Sequence, residues 1–133
     1  MIKKIAGIVL FAALAAGCGT STTDPTTGIT TDRYSGTLVD PTSCNCGNGI
    51  NQYPVVVARD GAVEATATWT EANAVVILRL TDNSFNTIYA VSTANGTTAR
   101  LAHNAPAGQY QMQVFLNQGP GRTATFNLEI KHP

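Results

Sequence analysis

The stretch Ala62-Val63-Glu64-Ala65-Thr66-Ala67-Thr68-Trp69-Thr70 alternates without a break. In an extended chain Val63, Ala65, Ala67 and Trp69 fall on one side and Glu64, Thr66, Thr68 and Thr70 on the other, because successive side chains of a strand point to opposite faces. An α-helix would spread both sets around its axis. The stretch therefore predicts a β-strand with one buried and one solvated face, and it buries the only Trp of the chain.

The same period extends outward in both directions. Upstream, Gln52 to Arg59 sets Tyr53, Val55 and Val57 in phase, and Asp60-Gly61 predicts a tight hairpin joining this strand to the next as a meander. Downstream, Val75 to Thr81 carries Val76, Leu78 and Leu80 in phase and ends at the turn-prone Thr81-Asp82-Asn83-Ser84. Thr87 to Ser92 and Thr97 to His103 follow, with Thr93-Ala94-Asn95-Gly96 between them as a second hairpin signal. Gln109 to Leu116 turns Tyr110, Met112, Val114 and Leu116 inward, and Ala124, Phe126, Leu128 and Ile130 do the same in the last strand. A weaker strand covers Tyr34 to Val39. No segment sustains a helical period with a cap. About eight short, evenly spaced strands predict an all-β domain over residues 33–133, a single small antiparallel β-sandwich of jelly-roll-like or immunoglobulin-like topology.

The N-terminal part is of another kind. Met1-Ile2-Lys3-Lys4 is a short basic start, and Ile5 to Ala16 is an apolar run of signal-peptide length, too short to span a bilayer. Leu14-Ala15-Ala16-Gly17-Cys18 then resembles the processing site of bacterial lipoproteins, with Ala15 where that family usually carries Leu. The resemblance implies a signal peptide over 1–17, cleavage between Gly17 and Cys18, a diacylglyceryl thioether on the Cys18 sulfur, and often a third acyl chain on the new amino terminus. Two or three chains hold a protein stably on a membrane. Gly19 rather than Asp after the cysteine implies, by the family's sorting rule, the outer membrane of the cell envelope if the source is a diderm bacterium. Gly19 to Asp32, rich in Thr, Ser, Gly, Asp and Pro with Ile29 as its one aliphatic residue, predicts that 18–32 is a lipidated Cys followed by a disordered tether.

Charge excludes one class of partner. The chain has eight basic and eight acidic residues; without Lys3 and Lys4 the balance is six against eight, a net charge of −2. A nucleic-acid binder clusters its cations, whereas Arg33, Arg59, Arg79, Arg100, Arg122 and Lys131 stand singly. The partners expected are a membrane through the lipid, and a polysaccharide or an envelope protein.

A second resemblance lies in the domain. Ala65-Thr66-Ala67-Thr68-Trp69-Thr70, Val76-Ile77-Leu78-Arg79-Leu80-Thr81-Asp82, Ala105-Pro106-Ala107-Gly108-Gln109-Tyr110-Gln111-Met112-Gln113-Val114 and Phe126-Asn127-Leu128-Glu129-Ile130 resemble the core and turn motifs of the pre-peptidase C-terminal (PPC) domains of secreted bacterial hydrolases. That resemblance, from about Tyr53 to Lys131, implies a small β-sandwich, in some relatives one that adheres to collagen or polysaccharide and sometimes binds calcium. The acidic cluster of the calcium-binding relatives is absent, so no calcium site is carried over; Asp32, Asp40 and Asp60 stand alone.

Few residues offer chemistry. Cys44 and Cys46, with Cys18 consumed by lipid, are the remaining thiols, and outside the cytoplasm they favour a local disulfide across a very small ring. An intermolecular bridge, free thiols, a redox pair, or a metal site with His103 or His132 are the alternatives; ligation needs three or four convergent groups. No catalytic residues are assigned: Ser84 and Ser92 lack a nucleophile turn, His103 falls on a strand, His132 in a fraying terminus, and Asp60, Glu64 and Glu71 do not pair by sequence. No cofactor and no metal is expected. For binding, the row Gln109, Gln111, Gln113 with Thr123, Thr125 and Asn127 would form an amide and hydroxyl surface if their strands pair, and Phe115 or Tyr89 would be its aromatic platform. A plainly solvated sheet face is the simpler reading. The loop Asp40 to Asn51 is a second recognition candidate. The expected function is a lipid-anchored, non-catalytic binding module, with a structural envelope lipoprotein as the alternative.

Overall fold

In the computed structural model, which describes residues 19–39, 50–117 and 123–133, nine strands run through the described residues. They are β1 (Gly19–Thr23), β2 (Thr30–Val39), β3 (Asn51–Val57), β4 (Gly61–Trp69), β5 (Val75–Asp82), β6 (Ile88–Asn95), β7 (Thr98–Ala105), β8 (Gly108–Leu116) and β9 (Thr123–His132). Two antiparallel sheets result, one of five strands in the order β1-β2-β9-β4-β7 and one of four in the order β3-β8-β5-β6. The fold is an all-β antiparallel sandwich.

Alternation in sequence becomes the inner face of each sheet. Val63, Ala65, Ala67 and Trp69 of β4 and Ala124, Phe126, Leu128 and Ile130 of β9 are buried, as are Val55, Val57, Val76, Leu78, Leu80, Tyr110, Met112, Val114 and Leu116 from the other sheet. The five-stranded sheet contributes many small side chains at its β4–β7 side, including Ala65, Ala67, Ala99 and Ala105, and the four-stranded sheet contributes larger Leu and Met. Each large aliphatic or aromatic side chain fully withdrawn from water contributes about 1.5–3 kcal/mol. At the β2 side an aromatic column closes the layer: Tyr34 stacks on Tyr53 with centroids 4.1 Å apart, and Tyr53 meets Phe126 at 6.4 Å.

Three expectations change. The Asp60-Gly61 turn is not a hairpin, since β3 pairs with β8 and β4 with β7 and β9. It carries the chain between sheets because its polar groups are held by other segments: Ala58 N–H donates to Pro133 O, Arg59 donates to Thr27 O, and Asp60 Oδ1 accepts from Ala107 N–H. Thr93 to Gly96 likewise crosses from β6 in one sheet to β7 in the other. The β5–β6 turn is a true hairpin, in which Asp82 Oδ1 accepts from the N–H groups of Asn86 and Thr87.

The third change is at the N-terminal side. The segment expected as a tether enters the sheet: β1 pairs with β2 from Gly19↔Tyr34 to Thr23↔Thr30, and β2 begins at Thr30. All five β1 residues are exposed, so no alternation betrays the strand; backbone pairing and the turn between the strands form it. In that turn Asp24 exchanges backbone bonds with Gly28 and Ile29, its Oδ1 accepts from Thr26 N–H, and Gly28 adopts φ 67°. A Cβ at Gly28 would lie 2.8 Å from the Arg59 guanidinium, which clamps the turn.

Candidate functional site

The amide row expected on β8 divides. β8 lies in the four-stranded sheet and β9 in the five-stranded one, so Gln109, Gln111 and Gln113 never share a face with Thr123, Thr125 and Asn127. The two sets occupy opposite outer faces of the sandwich. Gln113 is buried, and its Oε1 accepts from Arg79 Nε at 2.6 Å. The same guanidinium covers Phe115 at 5.1 Å from the ring centroid, so one face of that ring is taken. Gln111 donates to Asn83 Oδ1 at 2.9 Å. Tyr89 is elsewhere, at the edge between β6 and β7, with its ring 5.4 Å from Tyr110 and 5.7 Å from His103. Cys18, Cys44, Cys46 and the loop 40–49 lie outside the described residues.

The histidines and carboxylates also find particular places. His132 is not at a frayed end: it is 5% exposed and bonds Asp32 Oδ2 through Nε2 at 2.9 Å, and Asp32 is itself 7% exposed. The two buried side chains hold each other, with no second carboxylate beside Asp32 among the described residues. Among the described residues no hydroxyl hydrogen-bonds to either histidine. Asp60 is engaged by Ala107, and Glu71 accepts from Thr125 N–H at 3.3 Å. Burial works against ionisation of Glu71, but its backbone hydrogen bonds hold the carboxyl below the usual range.

The concave feature that sequence reading missed lies on the outer face of the five-stranded sheet. Thr20 of β1, Arg33 and Ser35 of β2, Asn127 and Glu129 of β9, and Thr66 and Thr68 of β4 line a groove of about 450 Å³ across four neighbouring strands. Register builds it: Arg33 stands opposite Glu129 and Thr66 opposite Glu129 on its other side, while Ser35 and Thr68 both face Asn127. Arg33 Nη2 and Glu129 Oε2 are 3.1 Å apart, and Lys131 Nζ lies 3.5 Å from Glu129 Oε1. These exposed pairs contribute only about 0–1 kcal/mol each to stability. Within the groove Arg33 and Glu129 balance one another, and Lys131, outside the lining, adds one positive charge beside Glu129, so the groove presents hydroxyls, an amide and an ion pair. Its floor is backed by Tyr34, whose hydroxyl burial pushes up to about 12, with the Asp32 charge and Tyr53 adding to the effect. The volume lies in the range of small-ligand sites. The outward residues of β4 and β9 were legible as a polar set; their union with β1 and β2 required the strand order.

No family model matches the chain, and no curated protein matches it. Among solved structures the chain is similar to the pre-peptidase C-terminal domain of a collagenase from Bacillus anthracis, at 19% identity over 74% of this chain and 86% of that one, with a TM-score of 0.58. That likeness establishes a shared fold. A carbohydrate-binding module of Cellvibrio mixtus lichenase 5A, in complex with cellotriose, aligns at 14% identity over 90% of this chain and 88% of that one, with a TM-score of 0.44, too distant to bear on the ligand.

Proposed function

We propose that this chain is a lipid-anchored, extracytoplasmic, non-catalytic binding module whose groove on the five-stranded sheet takes a polysaccharide. The supporting observation is the groove itself, where Thr20, Ser35, Thr66, Thr68 and Asn127 converge around the Arg33–Glu129 ion pair. Hydroxyl and amide groups both donate and accept, which suits a neutral ligand dense in hydroxyls. Planar Arg33 and Glu129 add paired donors and acceptors at one wall. The anchor reading draws its support from Leu14 to Cys18 and the apolar run before it.

The test is retention of the purified protein on insoluble cellulose, xylan, chitin and peptidoglycan sacculi. At least one of these should retain it saturably, and Thr68→Ala with Asn127→Ala should weaken retention about tenfold or more, the worth of one or two lost hydrogen bonds. No retention on any of the four, or retention unchanged in the variant, refutes the groove as a glycan site.

A protein partner is the second reading, favoured by an apolar display on the other side. Phe85, Ile88, Tyr89 and Val91 are all more than 40% exposed, and Phe85 is held at φ 61°, an uncommon conformation for a bulky residue. A structural envelope role belongs with this second reading.

A further inference from the structure

We infer that the β1 edge of the five-stranded sheet lies on the polar surface of a lipid bilayer and fixes the orientation of the domain, an inference that rests on the acylation of Cys18 proposed above. Covalent geometry places the Cα of Cys18 about 3.8 Å from that of Gly19, and Gly19 is already paired with Tyr34 in the sheet. No flexible spacer therefore separates the acylated residue from the folded domain. Acyl chains seated in the hydrocarbon bring Gly19 to the level of the headgroups.

The attachment is stiff at both ends of the hairpin. A Cβ on Gly19 would meet the Tyr34 ring at 2.9 Å, so this residue sits directly against an aromatic side chain that stacks on Tyr53. At the far end Thr23 Oγ1 and Thr30 Oγ1 are 2.9 Å apart, and Arg59 holds Thr27. The strand between them is Gly-Thr-Ser-Thr-Thr, fully exposed, with a continuous register and no charge or proline. Exposed sheet edges are ordinarily guarded by such charges, prolines or bulges. Here a neutral, hydroxyl-bearing edge, with one row of backbone donors and acceptors unpaired among the described residues, matches the hydrogen-bonding headgroup layer.

Orientation follows from strand order. β7 is four strand spacings from β1, about 19 Å at the usual separation. β6 packs beside β7 across the sandwich edge, where Tyr89 touches His103, so Ile88, Tyr89 and Val91 stand away from the membrane. The groove begins at Thr20 next to the headgroups and runs outward across β2, β9 and β4.

The experiment uses the full-length protein, processed in cells, extracted from membranes and reconstituted into phosphatidylcholine vesicles bearing a headgroup nitroxide quencher. A fluorophore is attached at Thr22→Cys or Val91→Cys in a Cys44→Ser/Cys46→Ser background, both sites being exposed. The Thr22 label should be quenched several-fold more than the Val91 label. Inserting twelve Gly/Ser residues between Cys18 and Gly19 should make the two labels alike. Co-flotation with vesicles but equal quenching without the insertion overturns the orientation and leaves the anchor standing. A mass lacking acyl chains together with failure to float overturns the anchor and the orientation with it. Cross-linking of Thr22→Cys between two molecules, with little quenching, assigns the edge to a second copy and overturns the bilayer as its partner.

Discussion

Replacing Asp32 by Ala tests the buried contact that ties β2 to β9. Asp32 and His132 are 7% and 5% exposed, their Oδ2 and Nε2 lie 2.9 Å apart, and His132 Nδ1 is buried without a partner among the described residues. Asp32→Ala leaves both ring nitrogens of a buried imidazole unpaired. An orphaned buried polar group costs about 1–3 kcal/mol, so we expect a loss of about 2 kcal/mol. For a domain of about 100 residues that corresponds to a Tm drop of roughly 8 °C. Urea titration followed by Trp69 emission measures it, because Trp69 is the single Trp and is 4% exposed. Removing both partners together, as Asp32→Ala/His132→Leu, should recover part of the loss, since no unpaired group then remains. A single-variant loss below about 0.5 kcal/mol, or a double variant less stable than the sum of the two single ones, would refute the reasoning.

Two further outcomes follow from the core and from the aromatic column. Phe126→Ala empties a fully buried position beside Tyr53 and Gly36 and should cost about 3–5 kcal/mol in the same titration; a loss under about 1 kcal/mol would mean the layers close over the gap. Tyr34, whose folded hydroxyl titrates near 12 against an ordinary 10.0, stays protonated in the fold at pH values where it ionises in the unfolded chain. Its contribution is complete below pH 10 and is lost as pH rises toward 12; the shift corresponds to nearly 3 kcal/mol, trimmed by half-exposure to about 1 kcal/mol. Tyr34→Phe should flatten that alkaline decline, and an unchanged slope would assign it to other groups.

Strand content was legible wherever one face is buried. Val63, Ala65, Ala67 and Trp69, or Ala124, Phe126, Leu128 and Ile130, carry their period in the side chains, and the sheet places them inside as expected. β1 was illegible because both of its faces meet solvent, and only backbone pairing distinguishes it from a loop. Strand order was hidden for a related reason. Asp60-Gly61 has the composition of a hairpin, yet what decides its geometry is contact with Thr27, Ala107 and Pro133, residues distant in the chain. The groove inherits that difficulty, since Thr20, Arg33, Thr66 and Asn127 become neighbours only after β9 has been inserted between β2 and β4. Gln113 shows the limit of alternation: its parity puts it on an outer face, yet it is buried there, with its Oε1 accepting from the Arg79 guanidinium that also lies over Phe115.

The place of β9 has a consequence for the order in which the molecule can come into being. Asp32 is registered with Ile130, so the middle of the five-stranded sheet joins the two extremes of the domain. A chain synthesised from its amino terminus holds β2 with no neighbour but β1, and β4 with none but β7, until the last ten-residue strand has been delivered. Pairings of such long sequence separation form late and slowly. The five-stranded sheet therefore stays open between β2 and β4 until β9 has been made, and only then can its centre close.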